Sequence, residues 1–149
     1  MSSGVRIVLA VAIVVGLRLD THAPVRMFAS LGTGAAAAGA VLCIVGVAFA
    51  IWARVVLGRN WGMPMTLHDD PELVTSGPYR YVRHPIYTGL TAMFIGTSLV
   101  YPLAALPSAF AIAYSVFSAL REERDMAKRF PEAYREYKKR SKMLVPFLL

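Results

Sequence analysis

Two stretches of this chain carry no Asp, Glu, Lys or Arg: 26 residues from Phe28 to Ala53 and 37 residues from His84 to Leu120. A helix on the surface of a soluble protein needs a charged or polar face, and neither stretch offers one. A helix rises 1.5 Å per residue, so about 20 apolar residues cross a hydrocarbon core of about 30 Å. Each void is long enough for at least one crossing. Charged residues make up 17% of the chain, against about 25% in soluble proteins. So much apolar side chain also excludes a disordered chain. The sequence reads as an all-α integral membrane protein in a single domain.

Four spans are expected, over residues 5–19, 31–56, 85–101 and 106–120. The first is short and flanked by Arg6 and Arg18, which reach the two interfaces by snorkelling. One positive charge, Arg6, precedes the apolar core from Ile7 to Leu17 and no small-x-small pattern follows, so the stretch reads as a span rather than a cleaved leader. In the second, Gly32, Ala36 and Ala40 recur every four residues, as do Ala35 and Gly39, then Gly46 and Ala50. Such faces let helix backbones approach closely in lipid. The 37-residue void holds a hairpin, broken at Tyr101-Pro102, with Pro107 in the first turn of its second helix.

The basic residues set the expected orientation. Four arginines lie between Arg54 and Arg83 and nine Lys or Arg between Arg121 and Lys142, whereas residues 101–107 hold none. By the positive-inside tendency, loop 57–84 and the tail are cytoplasmic, as are both termini. The tail, residues 121–143, is expected as an amphipathic helix that continues the fourth span, is interrupted near Pro131 and lies along the membrane surface. The net charge of +7 clusters beside the apolar spans, which points to lipid headgroups and away from nucleic acid. Cys43 sits inside a void as a small packing residue. His68 with Asp69, Asp70 and Glu72 lacks a second well-spaced His or Cys, so it reads as a solvated loop and no metal is expected.

Unusual residues concentrate in one place. Residues 73–89, LVTSGPYRYVRHPIYTG, pack a Gly-Pro turn, three tyrosines, two arginines and a histidine against the start of an apolar helix. Pro85 suits the first helical position and leaves His84 at the cap. The free amides of that helix start, with Arg83 and His84, suit an anion such as a carboxylate. The hairpin returns the chain over a similar length, so Glu122 and Glu123 emerge near the membrane level of His84. The two glutamates lie about 100° apart on a helix, so one is expected to face inward and the other water or Arg124. The result is a two-ended polar pocket suited to a zwitterionic ligand.

The run Gly77-Pro-Tyr-Arg-Tyr-Val-Arg-His-Pro-Ile-Tyr87, followed by Glu122-Glu123 and by FPEAYREY at residues 130–137, resembles the isoprenylcysteine carboxyl methyltransferase family. Phospholipid methyltransferases are among that family's relatives. The resemblance covers about residues 55–146, and Arg59-Asn-Trp-Gly62 fits its pattern ahead of the loop. It implies S-adenosylmethionine as cofactor, with S-adenosylhomocysteine as product, held on the cytoplasmic side. Carried over by position, the cofactor contacts are Leu73, Val74, Gly77, Tyr79, Arg83, His84, Tyr87, Glu122 and Glu123. The implied acceptor is a lipophilic small molecule or lipidated substrate in the membrane lipid environment, here the bacterial cytoplasmic membrane.

Methyl transfer from an already activated carrier needs no covalent nucleophile from the protein, only positioning and desolvation. Arg83 would orient a carboxylate acceptor, while His84 would take a proton from an amine or phenol. Two other classes compete: an NADPH-dependent sterol-reductase-like membrane enzyme, and a non-enzymatic four-helix membrane subunit. The Glu-Glu pair and the short chain weigh against the first. A proton-coupled carrier would bury an acid in a span, and neither void holds one.

Overall fold

The computed structural model describes residues 23–58 and 72–145, with backbone alone for residues 23–31. The expected span 5–19, the Arg59–Gly62 run and His68 with its acidic neighbours lie outside the described residues. Among the described residues the elements are helical and no strand forms: α1 (Ala23–Leu57), α2 (Pro85–Val100), α3 (Ala105–Arg129) and α4 (Pro131–Arg140), with short 3-10 turns at Gly77–Arg80 and Pro102–Ala104.

Proline and glycine place the boundaries. Pro85 opens α2 and Pro131 opens α4, each at a position where the missing amide costs no helical hydrogen bond. Helix α1 is interrupted at Gly32, whose φ of 77° and ψ of 151° suit glycine alone. From Gly32 to Leu57 it runs 26 residues, about 39 Å. The tail expected as one interrupted helix over 121–143 divides at Phe130 and leaves helical geometry after Arg140.

Two helical segments, Gly32–Leu57 and Pro102–Arg129, are long and apolar enough to cross a membrane; α2 is apolar and shorter. The charges of the second segment all fall in its last nine residues, so its apolar part ends at Leu120. These helices bury little and expose much: Val41, Ile44, Ile51, Val55, Leu106, Phe110 and Phe117 all present apolar surface outward. A soluble core helix does the reverse. An apolar band of this extent requires lipid or a partner around it.

Helix α2 stands in the middle, packed against α1 on one side and α3 on the other. Its contact with α1 is backbone against backbone. A Cβ placed on Gly46 would come 2.6 Å from the Gly89 carbonyl oxygen, and one on Gly39 would come 2.7 Å from that of Gly96. The glycines are seven residues apart on both helices, so an antiparallel pair brings them into register twice. Cys43 lies between the two crossings, its Sγ 3.3 Å from the Met93 carbonyl. Of the small-residue faces read from the sequence, the one through Gly39, Gly46 and Ala50 makes this contact. The Gly32–Ala36–Ala40 face does not, and Gly32 and Ala40 are exposed.

After α4 the chain turns back. Arg83 and His84 donate their amides to the carbonyls of Lys142 and Met143 at 2.8 and 3.1 Å, and the Lys142 amide donates to Tyr81 at 3.0 Å. Thr88 Oγ1 adds a 2.6 Å bond to the Leu144 carbonyl. The segment 141–144 thereby lies alongside residues 81–84. The aromatic face of α4, which the sequence offered to the membrane surface, is covered by the protein: Tyr134 and Tyr137 are buried.

Substituting Gly46 or Gly89 by Ala is expected to push α1 from α2 and cost roughly 1–3 kcal/mol, read as a lower unfolding temperature in detergent. Gly34→Ala, where a Cβ would meet nothing within 4 Å, should leave that temperature unchanged.

Candidate functional site

The polar residues of the loop meet those of α3 where the apolar part of the bundle stops. The turn Gly77–Arg80 depends on a left-handed residue: Gly77 has φ 57°, and its missing side chain leaves room for Val56 of α1. Pro78, Tyr79 and Val82 are buried there. The Tyr79 carbonyl accepts a 2.6 Å bond from the Tyr137 hydroxyl, which ties the turn to α4. Arg83 and His84 follow, directly ahead of α2.

Arg83 is nearly enclosed. Its Nε donates to Glu123 Oε1 at 2.7 Å and its Nη1 to the Ser141 carbonyl at 2.5 Å. The second oxygen of Glu123 accepts from Lys138 Nζ at 2.7 Å. Both Arg83 and Glu123 side chains are less than a tenth exposed. Glu122, one residue earlier, stays half-open to solvent and accepts from the Tyr87 hydroxyl at 2.7 Å. The imidazole of His84 lies between the two acids, with Nδ1 3.5 Å from Glu122 and Nε2 3.8 Å from Glu123.

Glu123 therefore faces inward and Glu122 stays half-open to water, as expected of the pair, but Glu122 also reaches Tyr87 and His84 rather than Arg124. A helix step of 100° still permits this because the partners are spread around the end of α3: Arg83 and Lys138 on Glu123, Tyr87 and His84 on Glu122. Of the residues singled out in the sequence, Arg83, His84, Tyr87, Glu122 and Glu123 come together in one cluster. Tyr79 is buried beside it, and Gly77 shapes the turn. Leu73 and Val74 are half-buried on the approach to that turn and make no polar side-chain contact with the cluster.

Charge settles in a definite pattern. Burial alone would push the Glu123 carboxyl up, but the nearby His84 imidazole and hydrogen bonds from Lys138 and Arg83 outweigh it and hold the pKa down at about 2. Burial likewise favours neutral His84, yet Glu122 and Glu123 reverse this and raise its pKa above the ordinary histidine value of 6.5. The site is thus an ionised acid held by Arg83 and Lys138, beside a histidine that holds its proton more tightly than usual.

Two buried polar atoms here have no hydrogen-bond partner: His84 Nε2 and the Tyr134 hydroxyl. Leaving such groups unpaired costs about 1–3 kcal/mol each. Lys138, Tyr134 and the Ser141 carbonyl were not legible as site groups in the sequence. The signal present was the spacing of Tyr134, Tyr137 and Ser141 on one helix face, which does not reveal what covers that face.

The sequence is similar to that of known methyltransferases. The phospholipid methyltransferase family model matches residues 35–133, from the middle of α1 to the start of α4. Methanethiol S-methyltransferase 1 of Bradyrhizobium diazoefficiens is 35% identical over 77 residues, 52% of this chain and 27% of that protein. The probable protein-S-isoprenylcysteine O-methyltransferase of Oryza sativa subsp. indica is 31% identical over 117 residues, 74% of this chain and 60% of that protein. The protein-S-isoprenylcysteine O-methyltransferase of Rattus norvegicus is 31% identical over 122 residues, 78% of this chain and 43% of that protein. The chain thus spans less than two thirds of the length of each of these relatives. No solved structure matches it.

Glu123→Ala should cost about 3 kcal/mol or more, because it strands the buried Arg83 guanidinium. The pH dependence follows from the lowered carboxyl. The stabilisation from ionised Glu123 is complete above the ordinary value of 4.5 and is lost as the pH falls through about 2. Thermal unfolding in detergent across that window should show the loss in the parent protein and a smaller one in Glu123→Gln. With the motif run, the paired acids and the matched family model in one place, the chain belongs to the phospholipid methyltransferase family.

Proposed function

We propose that this chain is an integral membrane methyltransferase that uses S-adenosylmethionine to methylate a lipophilic acceptor at the cytoplasmic face. The observation that carries the reading is the convergence of Arg83 and His84 with Glu122 and Glu123 at the polar end of an apolar hairpin. A cation and an anion side by side complement a zwitterion, and the amino-acid end of this cofactor is one. The orphaned His84 Nε2 and Tyr134 hydroxyl are further support, since a ligand with several polar atoms would satisfy them.

In this reading the bundle has four spans, 5–19, 31–56, 85–101 and 106–120, with loop 57–84, the tail and both termini in the cytoplasm. The cofactor supplies an activated methyl group when bound. The protein's own residues then bind and orient. His84 and the free amides at the start of α2 hold the cofactor carboxylate, while Glu122 and Glu123 take its ammonium or ribose hydroxyls. Tyr79 and Tyr87 line the pocket, Gly77 shapes it, and Leu73 and Val74 form its apolar wall. The exposed apolar faces of α1 and α3 leave a lipophilic acceptor free to arrive from the bilayer.

The charge pattern refines the two roles expected of Arg83 and His84. Arg83 spends Nε and Nη1 on Glu123 and Ser141, so its first task is to hold the site's shape. A histidine with a raised pKa is a better cationic donor than a base near neutral pH, which favours a carboxylate partner for His84. That partner is the cofactor's own carboxylate or that of an acceptor such as a lipidated cysteine.

Calorimetry of detergent-purified protein tests the reading. S-adenosylhomocysteine should bind and NADPH should not, while NADPH binding in its place would overturn the assignment. His84→Gln, which removes the positive charge and keeps a polar side chain, should weaken S-adenosylhomocysteine roughly tenfold or more, the loss of one charge-assisted hydrogen bond.

A further inference from the structure

Helix α4 lies beyond the motif run and beyond the acids of α3, yet it presents two side chains to the site. Tyr134 and Lys138 are four residues apart and so share a face. Lys138 is bonded to Glu123 at 2.7 Å. Tyr134 is only 3% exposed and lies close enough to Glu123 and Arg83 for both to act on its hydroxyl, with no hydrogen bond of proper geometry to either. Its hydroxyl has no hydrogen-bond partner, whereas that of Tyr137, one turn on, is bonded to the Tyr79 carbonyl. The two tyrosines pack edge to face, with ring centroids 6.0 Å apart.

A phenol buried to that degree with an idle hydroxyl is a poor choice for packing alone. Phenylalanine would fill the same volume without the desolvation cost of an unpaired polar atom. Tyrosine at this position makes physical sense when another molecule completes the bond. We propose that the Tyr134 hydroxyl is a ligand-binding group, which hydrogen-bonds the polar end of the cofactor where that end meets Arg83 and Glu123. Helix α4 then forms a wall of the pocket, and the tail beyond it, hydrogen-bonded along residues 81–84, holds that wall in place.

The inference rests on the S-adenosylmethionine reading above, and one pair of variants separates the two. Tyr134→Phe removes the idle hydroxyl and nothing else. Its unfolding temperature in ligand-free detergent should equal or exceed that of the parent, while its affinity for S-adenosylhomocysteine by calorimetry should fall roughly three- to tenfold, the size of one neutral hydrogen bond. Tyr137→Phe, which breaks a bond inside the protein, should lower the unfolding temperature instead. A parent protein that binds S-adenosylhomocysteine with a Tyr134→Phe variant of equal affinity overturns the role of Tyr134 alone. So does a Tyr134→Phe variant with a markedly lower unfolding temperature before ligand is added, since the hydroxyl would then serve the fold. A parent protein that fails to bind removes the cofactor reading and this inference with it.

Discussion

The fold of the polar end depends on one ion pair, the 2.7 Å contact between Arg83 and Glu123. Both charges lie almost out of water, at the mouth of an apolar bundle, where desolvating either one is expensive. The cost is offset because neither is left with a single partner. Arg83 also donates to the Ser141 carbonyl, and Glu123 also accepts from Lys138 and lies close to His84. These contacts join the loop ahead of α2, the end of α3, helix α4 and the tail. The loop, 40 residues away in the chain, thus meets the end of α3, α4 and the tail at one ion pair.

The charge-free hairpin is what makes that convergence possible. With no charged side chain from His84 to Leu120, α2 and the apolar part of α3 run out and return over similar lengths, and their polar ends come back to one level. Close packing of α2 on α1 through two glycine crossings fixes the hairpin's position. Backbone contact in lipid gains from dispersion and close fit rather than from water release, so the glycines matter for shape more than for hydrophobicity. The polar site inherits its placement from the apolar scaffold behind it.

Much of this was legible in the sequence. The voids marked the helices, Pro85 and Tyr101-Pro102 marked the ends of α2, and the hairpin argument brought Glu123 to His84. Three features were not legible, each for a physical reason. The packing face of α1 was ambiguous because small residues occur all around it. The seven-residue spacing of Gly89 and Gly96 fits Gly32 and Gly39 as well as Gly39 and Gly46, and only the packed helices select the second pair. The return of residues 141–144 along 81–84 rests on backbone hydrogen bonds, which carry no side-chain pattern. The aromatic face of α4 has the same spacing whether a membrane or the protein covers it, so Lys138 and Tyr134 stayed hidden until their neighbours were in place.

Under the proposed function, the loop, the end of α3 and helix α4 with its tail form one ligand site. Hydrogen exchange of the detergent-purified chain, with and without S-adenosylhomocysteine, tests it most directly. Slowed exchange is expected in three separate segments together, residues 77–88, 121–126 and 132–144, with the part of α1 ahead of Gly46 unaffected. Protection confined to the loop, or spread evenly along the chain, would contradict it.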